Sequence, residues 1–80
     1  MRFQITLNMP SRAGNPVHQI IGDHPIDSFV DFVDLLNNKD FVLVDEIYKD
    51  NDGGKLANYY SVGPIAINTA FIGKIKVHVP

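Results

Sequence analysis

The sequence predicts an α+β domain in which one helix packs on a small, curved, five-strand antiparallel sheet or barrel, in the order ββαβββ. Three observations carry that expectation. Polarity alternates residue by residue at the start of the chain, an apolar stripe with helical spacing follows Ser28, and the second half holds three β-rich runs punctuated by Asn, Asp, Gly and Pro. Eighty residues make a single domain, 1–80. A chain of that length buries only about 60% of its unfolded surface, so its core is modest.

Phe3, Ile5, Leu7 and Met9 alternate with Arg2, Gln4, Thr6 and Asn8, the pattern of a strand with one buried face. Residues 10–16 are dense in turn formers and predict a loop. Residues 17–22 (VHQIIG) then form a second strand, so the chain opens with a hairpin. Ser28 followed by Asp31 resembles a capping box, with Asp in place of Glu or Gln. From there Phe29, Val30, Val33 and Leu36 mark one helix face, widened by Phe32 and Leu35. Asp31 and Asp34 point outward near the positive end of the helix dipole, and residues 37–40 (NNKD) stop the helix.

Phe41-Val42-Leu43-Val44 is apolar on both faces and predicts a central strand covered on each side, whose continuation over 45–50 leaves the core. Residues 50–54 (DNDGG) read as a hairpin tip, because Asn, Asp and Gly tolerate positive φ. The next strand, over 56–68, is interrupted at Gly63-Pro64, where a bulge or bend is expected because proline gives nothing to a ladder. A turn at Asn68-Thr69-Ala70 leads into a last strand over 71–79. The inward phase of each segment gives an expected core of Phe3, Ile5, Leu7, Phe29, Val33, Leu36, Val42, Val44, Ile67 and Ile75.

Composition narrows the function classes. Hydrophobic content of 45% and charged content of 20% belong to a globular rather than a disordered chain. The longest apolar runs fall far short of a membrane span, and the alternating first residues are unlike a signal peptide, so the expected location is cytoplasmic, without membrane contact. The absence of cysteine removes disulfides and thiolate zinc sites. Asp50-Asn51-Asp52-Gly53 looks like part of a calcium loop, but aligning Gly53 with that loop's glycine puts Tyr48 and Tyr59 where carboxylates are required. His18, His24 and His78 lack metal-ligand spacing. Ser11, Ser28 and Ser61 lie in no nucleophile elbow, and Asp45 and Glu46 face opposite sides of their strand. The expectation is a binding protein, with neither catalysis nor cofactor.

The last strand carries the best candidate surface. Lys74, Lys76 and His78 share one face while Ile75, Val77 and Val79 share the other. In a chain of net charge -2, that stripe is either the charged protection of an exposed edge strand or a surface for an anionic partner. In the second reading Lys74, Lys76 and His78 meet phosphates, Asn68 and Thr69 bond bases or sugars, and Tyr60 stacks.

Phe41-Val42-Leu43-Val44-Asp45-Glu46, then Pro64-Ile65-Ala66-Ile67-Asn68 with Ile72 and Ile75, resembles the second half of Sm/LSm proteins. The resemblance implies a strongly bent five-strand barrel that forms ring-shaped homo-oligomers and binds RNA. Two features depart from the family. Its helix precedes all the strands, and its final turn carries an Arg-Gly pair where this chain has Ile67-Asn68-Thr69-Ala70. MRFQITLNMPSR, GNPVHQIIGD and NTAFIGKIKV also resemble small proteins of marine cyanophages and ocean metagenomes, some of them Sm-like. The expected partners are a second copy of the chain and single-stranded RNA or DNA. The alternative fold is β-grasp, which shares the order hairpin, helix, strands but lays the first strand parallel to the last. The alternative function is a protein-interaction module, viral or host-directed, in which the stripe pairs with acidic side chains.

Overall fold

The computed structural model describes residues 1–10, 14, 16–50 and 58–79. Its elements are β1 (Arg2–Leu7), β2 (His18–Asp23), α1 (Phe29–Asn37), β3 (Phe41–Asp50), β4 (Asn58–Asn68), a single 3-10 turn (Thr69–Phe71) and β5 (Ile72–Val77). The order ββαβββ is the expected one. The hairpin tip read at residues 50–54 lies outside the described residues beyond Asp50, as do positions 56 and 57 of the strand that follows and most of the first loop.

The strands form one sheet in the order β4-β3-β2-β1-β5, with every neighbouring pair antiparallel. β1 runs antiparallel to β5, with Phe3 opposite Val77 and Ile5 opposite Ile75. That pairing removes the β-grasp alternative. β4 and β5 flank the 3-10 turn yet lie at opposite edges, so the sheet is open rather than a hydrogen-bonded barrel.

Helix α1 begins where Ser28, in an extended conformation, accepts a hydrogen bond from Asp31 N (3.3 Å). It ends at Asn38, whose backbone N–H donates to Leu35 O (3.2 Å). One face lies over β1: Phe32 stacks on Phe3 with ring centres 4.0 Å apart, and Phe29 lies 6.4 Å from Phe3. The core is Phe3, Ile5, Leu7, Phe32, Val42, Val44 and Ile67. Phe29, Val33, Leu36 and Ile75, expected inside, are half-buried around it.

Three expectations change. Val30 is exposed and Phe32 takes the inward place, because the buried stripe runs Phe29, Phe32, Val33, Leu36. Over Phe41–Val44, β3 is covered on one face only: Phe41 and Leu43 remain 59% and 67% exposed, since the helix packs against the side bearing Val42 and Val44. Ile47, placed outside the core by its position in the sequence, is 7% exposed. It is buried away from the main cluster, beside its cross-strand partner Ile21.

The bend read at Gly63-Pro64 is present. Glu46 pairs with Gly63 and Ile47 with Ser61, which leaves Val62 as an extra residue in β4. Gly63 adopts φ +125°, a conformation open to glycine and strained for other residues. β2 pairs with β3 only from Ile21↔Ile47 to Asp23↔Asp45, so the β3–β4 arm beyond Ile47 is free of β2.

Phe32→Ala removes a fully buried ring and is expected to lose about 3–5 kcal/mol, enough to leave a domain of this size largely unfolded. Val30→Ala, on the exposed side of the same helix, is expected to change stability by less than about 0.5 kcal/mol. Urea titration followed by circular dichroism compares the two, and similar losses would contradict the packing direction of the helix.

Candidate functional site

The sheet face opposite the core is a polar surface assembled in three cross-strand rows. Lys76, Gln4, Ile21, Ile47 and Ser61 make one row from β5 to β4. Lys74, Thr6 and Gln19 make the next, in which Gln19 receives a bond from Gln4 Nε2 (2.6 Å) and donates to Thr6 Oγ1 (3.5 Å). The third begins at His78, whose backbone N–H donates to Arg2 O (2.9 Å), and continues through Arg2, Asp23 and Asp45.

The β3–β4 arm returns over this face. Tyr59 places its hydroxyl 3.2 Å from His78 Nε2 and its ring edge-on to the imidazole, 5.5 Å between centres. The Arg2 guanidinium lies 5.2 Å from the Tyr59 ring centre. Arg2 is itself held by a two-point bond to Asp23, Nε to Oδ1 at 2.7 Å and Nη2 to Oδ2 at 2.9 Å. Both side chains are about one-third exposed, so the pair adds at most about 1 kcal/mol and serves mainly to fix Arg2. Ser61 Oγ donates to Asp45 Oδ2 (2.7 Å) and anchors the arm near its bend.

The electrostatics report the same convergence. Burial lowers the His78 pKa, and the positive charges of Lys49, Arg2 and Lys76 lower it further against the opposing effect of Asp23. Asp23 lies below its ordinary carboxylate value, chiefly through its hydrogen bonds from Arg2. Arg2, Lys49, Lys76 and His78 therefore form one basic cluster around Tyr59, supplied by β1, β3, β5 and the segment after it.

The residues singled out from the sequence separate into three places. Lys76 and His78 lie in this cluster, with Lys74 one row away. Asn68 and Thr69 occupy the β4–β5 turn, where both already have structural partners. Asn68 Oδ1 accepts from Ala70 N (3.0 Å), and the Thr69 hydroxyl donates to Lys39 O (2.7 Å). Lys74 joins them at the border of a groove of about 520 Å³ between α1 and β5. Tyr60 pairs with Tyr48 on the other side of the arm and is 51% exposed. The sequence reading missed Arg2, Lys49 and Tyr59. Arg2 was readable as a member of the polar face of β1, whereas Lys49 and Tyr59 reach the site only through the bulge.

Among the described residues, no three His, Cys, Asp or Glu side chains form a group able to hold a metal ion. No described helix is long and apolar enough to cross a membrane. No protein-family model, curated protein or solved structure matches the chain.

A pH dependence follows from three groups that shift in the same direction. His24 accepts a hydrogen bond at Nδ1 from Ile26 N (3.0 Å), and burial, then the N-terminal ammonium, lowers its pKa. His78 is lowered as well. A lowered folded-state pKa means that the unfolded chain takes up the proton first, so stability declines as pH falls below about 6.5. Asp23 extends the loss below about pH 4, as its carboxyl protonates first in the unfolded chain. Denaturation midpoints should fall steadily from about pH 7 to about pH 5. His24→Asn keeps an acceptor for Ile26 N without the titration and should flatten that fall. An unchanged slope would remove His24 from the account.

Proposed function

We propose that this chain is a small Sm-like binding protein that engages single-stranded nucleic acid, most simply RNA, as a homo-oligomer. One observation carries the reading: Arg2, Lys49, Lys76 and His78 gather around Tyr59 on a polar sheet face in a chain of net charge -2. Four of the seven Lys and Arg residues, Arg2, Lys49, Lys74 and Lys76, lie on this face or on the arm over it. The carboxylates of the helix and its lead-in, Asp27, Asp31 and Asp34, are exposed elsewhere. Cations follow a phosphate backbone, amide side chains such as Gln4 and Gln19 bond to bases, and an aromatic offers a stacking surface. Arg2 is already committed to Asp23, which leaves Lys49, Lys74 and Lys76 to neutralise phosphates. Asn68 and Thr69 extend the contact only if the strand continues past Lys74 to the β4–β5 turn.

Three available lysines set the size of the effect. Binding of a fluorescent single-stranded oligonucleotide should weaken with salt, with a slope of about -2 in log affinity against log salt. Lys74→Ala with Lys76→Ala should bring the slope to about -0.7 without unfolding the domain, because both side chains are exposed. Absence of binding to RNA and DNA at low salt overturns the reading and leaves a protein-interaction module.

Self-association rests on the two sheet edges. β4 is an 11-residue edge strand with Tyr60 and Val62 exposed, and β5 is the opposite edge. Open edges with apolar side chains associate unless protected, and a domain this small gains from burying them. Light scattering should give a mass of two or more chains at concentrations of about 100 μM, with Tyr60→Lys shifting it toward one chain. A single-chain mass for the unaltered protein refutes the oligomer.

A further inference from the structure

A second concave surface lies on the core-facing side of the sheet and shares no residue with the basic cluster. It is a cleft of about 350 Å³, the size of a small-ligand site. Leu7, Ile20 and Ile67 form its walls, and Phe41 and Phe71 line it while remaining 59% and 44% exposed. Exposed phenylalanines bordering an apolar cleft are a departure from the burial expected of such side chains.

One anionic group belongs to the cleft. Glu46 lines it, half-buried, on the core-facing side of β3. Its two cross-strand neighbours are Gly22 on β2 and Gly63 on β4, neither of which brings a side chain of its own. Gly22 has to be glycine, since a Cβ there would sit 2.8 Å from Val44 Cγ2. Gly63 is required by its φ of +125°. Glycine thus leaves the Gly63 side of Glu46 open, while Val44 fills the Gly22 side. Among the described residues Glu46 has neither an ion pair nor a side-chain hydrogen bond, whereas Arg2 and Asp23 form a two-point ion pair.

We propose that this cleft binds a small organic cation, an alkylammonium whose charge meets Glu46 and whose apolar body lies against Leu7, Ile20 and Ile67. A carboxylate beside an apolar wall selects a ligand with both characters: a neutral hydrocarbon leaves the carboxylate without a counter-charge, and an inorganic cation leaves the walls wet. Phe41 and Phe71 add the negative faces of aromatic rings, which attract alkylammonium ions. His18 also lines the cleft, with Nδ1 directed at Met9 O (3.3 Å). A carbonyl only accepts, so Nδ1 carries the proton in that contact.

Hexylammonium, hexanol and hexanoate share one apolar chain and differ in the charge of the head, which makes them the test set. Each is titrated into the full chain while backbone amide resonances are followed by NMR. Hexylammonium should shift amides of Leu7, Ile20, Ile65 and Ile67 and bind about fivefold tighter than hexanol. Hexanoate should bind more weakly than either. Glu46→Gln should bring hexylammonium to within about twofold of hexanol while leaving hexanol affinity unchanged, which separates loss of charge from loss of fold. Equal binding of hexylammonium and hexanol overturns the proposal, as does the absence of shifts at about 10 mM hexylammonium, far above the affinity expected of a built site. Shifts confined to residues 74–78 overturn it too, because they place the ligand at the basic face. The nucleic-acid reading is tested by different residues and a different ligand, so either stands if the other fails.

Discussion

The extra residue in β4 is the constraint on which the rest of the structure depends. A flat antiparallel pair would carry β3 and β4 straight off the sheet, with one face against the helix and the other in water. Here Val62 has no partner, Gly63 turns through φ +125°, and Pro64 follows without an N–H to donate. The strand pair changes direction at that point. Its first half, with Val42, Val44, Ile65 and Ile67, closes the core beneath α1, and its second half returns over the opposite face to bring Tyr59 to Arg2 and His78. One sheet of five strands thereby makes a core on one side and a basic site on the other.

The same bend explains why net charge is a poor guide to this molecule. Carboxylates and cations are divided unevenly: the helix and its lead-in carry Asp27, Asp31 and Asp34, while the opposite face and its arm carry Arg2, Lys49, Lys74 and Lys76 along with Asp23, which is paired to Arg2, Asp45, which accepts from Ser61, and Asp50. At physiological ionic strength the screening length is about 8 Å, so a phosphate near Lys76 responds to the neighbouring cations far more than to the helix. What counts for an anionic partner is the local sign. The total of -2 describes the field only at distances where salt has already removed it.

Most of the fold was legible in the sequence because it follows from local rules. Alternation in residues 2–7, the Ser28 cap, the Gly63-Pro64 interruption and the Asn68 turn each act over a few residues, and each has its structural counterpart, although the strand stops before Met9, which is exposed. The errors share a different cause. Val30 against Phe32, and the bare side of β3, were decided by how much surface one nine-residue helix can cover. Periodicity marks a position as apolar but does not say whether a second layer exists to bury it. The candidate site was less legible still. Lys76 and His78 were found because they alternate on one strand, whereas Lys49 and Tyr59 are 17 to 29 residues from them in sequence and join them only through the returning arm. Choosing Tyr60 over Tyr59 amounts to an error of one residue in register, and a single bulged residue is enough to reverse which of two adjacent side chains faces the site.

Glu46 and Ile47 show what that register shift does within one strand. They are consecutive, and they mark the two sides between which the shift falls. Glu46 stands between Gly22 and Gly63 and lines the cleft, whereas Ile47 stands between Ile21 and Ser61 and is buried beneath the polar face. Each environment requires what the other excludes. The carboxylate needs neighbours without side chains so that its charge keeps access to solvent or a counter-ion, and the isoleucine needs neighbours that remove it from water. An uninterrupted ladder would alternate faces in the same way but would continue both strands straight, and Tyr59 would then lie beyond the reach of His78. Alternation separates the two surfaces, and the bulge brings one of them back over the sheet. A basic face and an apolar cleft on so short a chain therefore follow from a single irregularity, placed where glycine and proline permit it.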